Sequence, residues 1–280
     1  MATPNWIEAD GLVNLRDVGG IPTTDGGRIA TDRLLRSDNL QDLSERDLAL
    51  FAERGLTDVV DLRTGVEVRG EGPGPMSGVA GVTIHHHTLF IEDELHPPES
   101  STGPAPEPVT VGKDTDGRPG ESVRSEALPW VGLESSEEHE NPVAGHYLSY
   151  LKDRPDSVLA ALRVIAGARG ATLVHCAAGK DRTGTIVALA LLIAGADEQA
   201  VIDDYAASSD RMEQIVARLI ASPTYRENLS GRPMSSHLTH PETMQGVLDA
   251  LRRRGGVLAA LAEAGWTDED TARMRAKLLG

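Results

Sequence analysis

One segment limits what this chain can fold into more than any other part of its sequence. Residues 171–175, Ala-Thr-Leu-Val-His, form a short run that is typical of a buried strand. A tight loop containing the one cysteine, Cys176, follows at once and leads into a helix, expected from Thr183, that is apolar on nearly all sides. In such a unit the loop N–H groups and the helix N-terminus point at one spot, so the segment predicts a phosphate-sized anion site.

The side chains of residues 176–183, called here the cysteine loop, suit nucleophilic chemistry on that anion. The field of the loop and the helix end favours the thiolate form of Cys176, which can attack phosphorus in line. Arg182 completes a C-x5-R spacing and can bind two phosphate oxygens at once, while Thr183 can donate its hydroxyl to the sulfur when a phosphocysteine breaks down. The residues expected to bind substrate are Ala177, Ala178, Gly179, Lys180, Thr183 and Gly184.

Elsewhere the chain alternates between strand and helix patterns. Strands are expected at 34–37, 58–62 and 82–90, and helices between Ser44 and Gly55, at 141–152, 155–166, 197–207, 210–221, 242–254, 257–264 and 268–279. Thr239 and Glu242 have the spacing of a capping box. The alternation predicts an α/β fold with a central, mostly parallel sheet flanked by helices and a helical C-terminal third, in a single domain over 1–280.

Four blocks, in this order along the chain, resemble the cysteine-dependent protein tyrosine phosphatases, and within them the bacterial protein tyrosine phosphatase B-like group. They are Asn-Leu-Arg-Asp-Val-Gly-Gly at 14–20, Leu-Leu-Arg-Ser at 34–37, Asp-Leu-Arg-Thr at 61–64 and His-Cys-Ala-Ala-Gly-Lys-Asp-Arg-Thr-Gly at 175–184. The resemblance implies a protein tyrosine phosphatase-like fold. It also implies hydrolysis of phosphomonoesters through a phosphocysteine intermediate, with no metal or other cofactor.

The general acid departs from the usual family pattern. Ordinary tyrosine phosphatases supply an Asp from an upstream Trp-Pro-Asp loop, and this tripeptide does not occur here. In the similar myotubularin-like and Sac-like phosphoinositide phosphatases an Asp precedes the loop arginine, as Asp181 does in this chain. We therefore expect Asp181 to protonate the leaving oxygen, with Asp93 as the second candidate.

The substrate class stays open at this point. Lys180 adds a second cation at the rim of the loop, which favours substrates with more than one phosphate. Phosphotyrosine, phosphoserine or phosphothreonine in proteins, and phosphoinositides are all compatible with the motifs. Two further alternatives are a catalytically inactive module that binds phosphorylated partners and, less favoured, a rhodanese-like sulfurtransferase.

Composition excludes several other classes. The formal net charge of −16 argues against nucleic-acid partners, which need a basic surface. A single cysteine allows no intrachain disulfide and no CxxC zinc site. The longest apolar run, 186–196, is too short to be an integral membrane segment, and Met1 to Asp10 do not form a Sec-type signal peptide. We expect a cytoplasmic location by default, with secretion without a cleaved signal left open.

Three other features are expected to support the site without doing chemistry. An insertion at about 92–140, with thirteen acidic and three basic residues, is expected to be a solvated flexible loop, the alternative being a lid or partner site. Helices at about 210–245 are expected to form a lid, as lids occur in the resembling group. Side chains expected to form buried ion pairs are Arg16, Asp17 and Arg63. The His85–His87 run is expected on a partly exposed strand and not at a metal.

Overall fold

The computed structural model describes residues 4–92 and 137–280. Most of the acidic insertion, and with it Asp93, therefore lies outside the described residues. Within them, six strands form one sheet: β1 (Asn5–Trp6), β2 (Arg16–Asp17), β3 (Leu34–Ser37), β4 (Leu56–Asp61), β5 (Thr83–His86) and β6 (Ala171–His175). The strand order is β1-β2-β3-β6-β4-β5. The pairs between β3, β6, β4 and β5 are parallel, and those between β1, β2 and β3 are antiparallel.

The strand β6 lies at the centre of the sheet, between β3 and β4. Every residue of β6 is buried, as expected for a strand covered on both faces. Neighbouring residues of the central strands point to opposite faces and enter two different apolar clusters. Leu35, Val59 and Leu173 pack with Phe51 on one face, and Leu34, Val60 and Val174 pack in the larger cluster on the other.

Helices cover both faces and make up the C-terminal third. In chain order they are α1 (Glu45–Glu53), α2 (Gly65–Glu71), α3 (Pro142–Asp153), α4 (Pro155–Gly167), α5 (Asp181–Ala194), α6 (Glu198–Ala206), α7 (Met212–Ala221), α8 (Pro223–Leu229), α9 (Pro241–Arg253), α10 (Val257–Ala262) and α11 (Asp268–Leu279). The predicted fold class is confirmed: a mixed, mostly parallel sheet is flanked by helices and followed by a helical C-terminal part. None of the helices in the described part of the chain is long and apolar enough to cross a membrane.

Three local predictions differ from the structure. Helix α5 begins at Asp181 and not at Thr183, so the last residues of the cysteine loop belong to its first turn. The strand expected at 82–90 is limited to β5. Helix α9 has His240 and not Thr239 as its N-cap, and the Thr239 N–H that a capping box with Glu242 would use donates to Ser209 Oγ (2.8 Å).

Helix α5 fixes the position of the cysteine loop. Its residues from Arg182 to Leu191 are all buried, and Gly195, with φ +90°, ends the helix in a left-handed conformation. The N-terminus of α5 meets the carboxyl end of β6 at the centre of the sheet. The fold thereby holds the loop between its two best-packed elements, and the partial positive charge of the helix end faces that loop.

Candidate active site

The carbonyl groups of the cysteine loop are tied away from its centre. The carbonyl of Ala177 accepts from the backbone N–H of Asn39 (2.9 Å), and the Asn14 Nδ2 donates to the carbonyls of Ala178 (2.9 Å) and Gly179 (3.2 Å). In contrast, none of the backbone N–H groups of residues 177–180 donates to another described residue. Because peptide groups with their carbonyls turned outward present their N–H groups to the other side, the loop is a nest for an anion.

Two buried arginines and one carboxylate hold Asn14 and the loop together. Arg16 donates to Asn14 Oδ1 (2.6 Å), and Arg36 donates to the carbonyl of Gly179 (2.8 Å). Both arginines form ion pairs with Asp204 of α6, at 2.8 Å and 2.6 Å. Burial acts to raise the pKa of Asp204, but the charges of Arg16 and Arg36 outweigh it and lower the pKa.

The two other predicted ion-pair residues have different surroundings. Arg63 pairs with Asp61 (2.6 Å) directly below the loop. Asp17 instead accepts hydrogen bonds from the backbone N–H groups of Gly19 and Asp32, both at 2.8 Å, and shapes a turn away from the cysteine loop. The prediction that Asp17 forms an ion pair is wrong, since its partners are main-chain groups.

Gly179 is required by close approach as well as by conformation. Its φ is +67°, in the left-handed region, and a Cβ there would lie 2.2 Å from the carbonyl oxygen of Ser37. Only glycine therefore fits at this point of the loop, next to the end of β3.

Arg182 is fully buried and is aligned by a carboxylate from a neighbouring helix. Its Nη1 and Nη2 donate to the two carboxylate oxygens of Glu67, at 2.6 Å and 3.0 Å, and Nη1 also donates to the carbonyl of Leu62 (3.1 Å). Both side chains have no exposed area. Glu67 is itself fixed as the third residue of α2, in a capping box with Thr64. Such a forked pair sets the plane of the guanidinium group.

Lys180 and Asp181 lie at the mouth of the loop. The Lys180 Nζ donates to the carbonyl of His237 (2.8 Å) and lies 3.5 Å from Asp181 Oδ1. The same Oδ1 accepts a hydrogen bond from the hydroxyl of Tyr147 in α3. Both charged side chains keep part of their surface exposed, 14% for Lys180 and 17% for Asp181.

A cavity of about 680 Å³ opens over this mouth. Ala177, Ala178, Lys180 and Asp181 line its floor. Apolar side chains of α7, α8 and the segment after them also line the cavity, namely Met212, Ile215, Val216, Leu219, Leu229 and Leu238, and the same region adds the polar Asn228, Arg232, Ser235, Ser236 and His237. A site of this kind combines an anion-binding floor with an apolar wall for the rest of a ligand.

The buried members of the predicted site lie beneath that floor. Cys176 is 2% exposed, and the hydroxyl of the fully buried Thr183 accepts or donates no hydrogen bond to any described residue. Gly184 is the exception among the predicted substrate-binding residues. Its N–H donates to the carbonyl of Lys180 (2.9 Å) within the helix, and a Cβ there would lie 2.9 Å from the Tyr205 ring, so its part is to let α5 and α6 pack closely.

Comparison with known proteins agrees with this geometry. The profile of the family described as "Tyrosine phosphatase family" matches residues 7–280. The chain belongs to this family. It is 30% identical, over 98% of its length and 99% of the relative's, to a triple specificity protein phosphatase, PtpB, of Mycobacterium tuberculosis. A tyrosine-protein phosphatase of Nostoc commune is 45% identical over 51 residues, which are 18% of this chain and 17% of that protein. The predictions of the family and of a phosphatase enzyme are confirmed.

For this tyrosine phosphatase family member, sequence reasoning missed two residues that contact the predicted catalytic groups. Glu67 could have been found, because Thr64 and Glu67 form the capping-box spacing immediately after one of the family blocks. Tyr147 carries no such signal, since it lies 34 positions from Asp181 in an ordinary amphipathic helix. In the described part of the chain, no group of three His, Cys, Asp or Glu side chains is arranged to hold a metal.

The residues beneath the loop make the stability of the fold sensitive to acid. His175 is fully buried, with its Nε2 3.7 Å from Asp61 Oδ1. Burial lowers the pKa of His175 from 6.5 to about 4, although the negative charge of Asp61 opposes this. An unfolded chain therefore binds one more proton than the folded chain between these values, and stability is lost as pH falls from about 6.5 to about 4.

We expect this loss to amount to about 3 kcal/mol of unfolding free energy. It would be measured as urea midpoints at several pH values between 4 and 7.5 for the parent and for His175→Asn, which lacks the titrating group. The variant should show a clearly weaker pH dependence, while His240→Asn, at an exposed position, should follow the parent. Equal pH dependence in His175→Asn and the parent would contradict the assignment.

Proposed function

We propose that the chain hydrolyses phosphomonoesters, phosphotyrosine first among them, through a phosphocysteine on Cys176. In the first half-reaction the Cys176 thiolate attacks phosphorus, the Sγ–P bond forms, and the bond from phosphorus to the leaving oxygen breaks. Asp181 gives its proton to that oxygen. In the second half-reaction water attacks phosphorus and passes a proton to Asp181, the Sγ–P bond breaks, and inorganic phosphate and the thiolate are released.

The single observation that carries this proposal is the outward tethering of the loop carbonyls by Asn14, Arg36 and Asn39. It leaves N–H groups facing the position directly above Cys176, where the charge on the transferred phosphoryl group must be stabilised. Arg182, aligned by Glu67, supplies a permanent positive charge at the same place. A module that only bound phosphate would have no use for a thiol at the base of the nest.

Asp181 is the general acid in this proposal because of its place and its accessibility. It lines the cavity floor next to Ala177 and Ala178, whereas the carboxylates of Glu67 and Asp61 are buried in ion pairs. An acid on the loop itself stays at a fixed distance from the nucleophile. Asp93, the second candidate, lies outside the described residues.

The walls of the cavity support a substrate with an apolar or aromatic group next to its phosphate. The apolar side chains of α7 and α8 face the floor at which the phosphate would bind, which suits the ring of phosphotyrosine. Lys180 favours a second, phosphoinositide-directed activity, since its ammonium group lies beside the mouth. The mycobacterial relative is named a triple specificity phosphatase, which also supports more than one class of phosphorylated substrate for this chain.

Residues 210–245 are proposed to act as a lid. Arg218 of α7 donates to the Asn39 carbonyl (2.5 Å) and to Asp42 (2.8 Å), and it also pairs with Asp38. The bond from Lys180 to the His237 carbonyl joins the same region to the cysteine loop. These contacts hold the region against the residues around the cysteine loop, and in this proposal they break when the lid opens. The cytoplasmic location stays a prediction.

The proposed function is tested by phosphate release from a phosphotyrosine peptide and from soluble phosphoinositides, measured side by side. We expect release from the peptide by the parent protein and none by Cys176→Ser, because a serine hydroxyl is a far weaker nucleophile than a thiolate. Glu8→Gln, at an exposed position, serves as the matched control and should behave as the parent. Release that persists in Cys176→Ser, or no release by the parent from any substrate, would overturn the proposal.

The role of Asp181 is tested by the pH profile of kcat with phenyl phosphate. The acid must be protonated to act, so the parent should lose activity on the basic side of its profile. Asp181→Asn should lower kcat by about 10²-fold or more and remove that basic limb. Asp203→Asn in α6 is the control and should keep the parent profile. Among the described residues, the Asp203 carboxylate accepts a hydrogen bond only from the surface side chain of Gln199. A basic limb that survives in Asp181→Asn would assign the proton to another group.

A further inference from the structure

We propose that Tyr147 is a positioning residue that holds Asp181 so that its transferable proton lies on Oδ2 and faces the leaving group. The inference rests on the proposed function, in which Asp181 is the general acid. It is carried by a chain of hydrogen bonds that runs from the cavity floor into the core between α3, α6 and α9.

The first contact in this chain fixes one oxygen of the acid. The Tyr147 hydroxyl donates to Asp181 Oδ1, the oxygen that also lies 3.5 Å from the Lys180 ammonium. Among the described residues, no side chain donates to Oδ2. A carboxyl oxygen that already accepts from a hydroxyl and has an ammonium group 3.5 Å away is a poor place for a proton, so the proton of the acid form belongs on Oδ2.

The next contacts fix the direction of the Tyr147 hydroxyl. Its oxygen lies 2.9 Å from that of Tyr205, and its own proton is used on Asp181, so Tyr205 is the donor between them. Behind Tyr205, Thr243 of α9 accepts from Asn141 Nδ2 (3.3 Å). Tyr147 and Tyr205 thus both have their protons committed towards Asp181.

Burial keeps the hydroxyls of Tyr147 and Tyr205 protonated. Tyr147 is 1% exposed and Tyr205 2% exposed. Burial, and then the charge of Asp181, raises the pKa of both tyrosines above the ordinary value of 10. Tyr147 is therefore a donor over the whole range in which a phosphatase of this type works, and it never competes with Asp181 as an acid.

The other titratable groups that face Asp181 do not offer a second explanation. His146 and Tyr150 of α3 and His237 of the segment after α8 lie close enough to interact electrostatically with it. Burial lowers the pKa of both histidines, so they are neutral at and above neutral pH, and burial raises the pKa of Tyr150. Lys180 and Arg182 are the neighbouring charges on the loop itself, and Arg232 and His240 line the same cavity.

The test compares leaving groups, which a merely structural defect would not distinguish. We expect Tyr147→Phe to lower kcat by about tenfold with phenyl phosphate, whose oxygen needs a proton, and by less than about twofold with dinitrophenyl phosphate, which leaves without one. Thr172→Val in β6 is the matched control, since this fully buried hydroxyl has no hydrogen-bond partner among the described residues.

Equal losses on both substrates in Tyr147→Phe would overturn the inference. Tyr205→Phe should give a smaller loss that is again confined to phenyl phosphate, since Tyr147 can still donate. It carries the test alone if thermal unfolding shows Tyr147→Phe to be misfolded. Asp181→Asn separates failure of the inference from failure of the proposed function. If the loss depends on the leaving group in Asp181→Asn but not in the tyrosine variants, only the role of Tyr147 is rejected. If the loss does not depend on the leaving group in Asp181→Asn either, Asp181 is rejected as the general acid as well.

Discussion

The site depends on the hydrogen bonds that turn the cysteine-loop carbonyls outward. If the carbonyl oxygens of this loop pointed inward, they would repel an anion. Hydrogen bonds from other parts of the fold are therefore needed to keep them pointing outward. Asn14, two residues before β2, and Arg36, in β3, fix this orientation although both are far from the loop in sequence. Asp204 keeps Arg36 in place, because a buried guanidinium group needs a compensating charge. The N-terminal segment thus shapes the candidate active site although it contributes no group proposed to react.

The same principle extends to the groups proposed to react. Arg182 takes its plane from Glu67, and Asp181 takes its orientation from Tyr147. Because Cys176, Asp181 and Arg182 belong to one loop and one helix turn, their spacing is set by local backbone geometry and not by closure of a distant segment. In the proposed mechanism these groups therefore keep their spacing while substrate binds beside α7 and α8.

Much of this could be predicted from the sequence because the decisive information is local. The buried strand β6, the apolar helix α5 and the C-x5-R spacing lie within 24 consecutive residues, and each has its own periodicity or spacing. The start of α5 was misplaced by two residues, since Lys180 and Asp181 are polar and give no apolar signal. The capping box predicted before α9 is wrong, because the N-cap is His240 and a tertiary partner, Ser209 Oγ, accepts the Thr239 N–H.

Contacts between distant segments could not be predicted in this way. Tyr147 and Asp181 meet only because α3 and α5 pack on the same face of the sheet, and one sequence does not record that packing. Arg16 and Arg36 were recognisable as members of family blocks, but their shared partner Asp204 lies some 170 to 190 positions away. The residue types of the loop thus predict its chemistry, whereas the contacts that align those residues depend on the tertiary fold.

The most direct test of the account is to look for the intermediate itself. The parent protein would be mixed with a phosphotyrosine peptide, quenched within one turnover, digested, and its peptides analysed by mass spectrometry. The account predicts one phosphoryl group on the peptide that contains Cys176. This group should be released by reagents that cleave phosphorus–sulfur bonds, and it should be absent from Cys176→Ser. Phosphate release during turnover with no phosphoryl group on that peptide, or with the group on another residue, would contradict it.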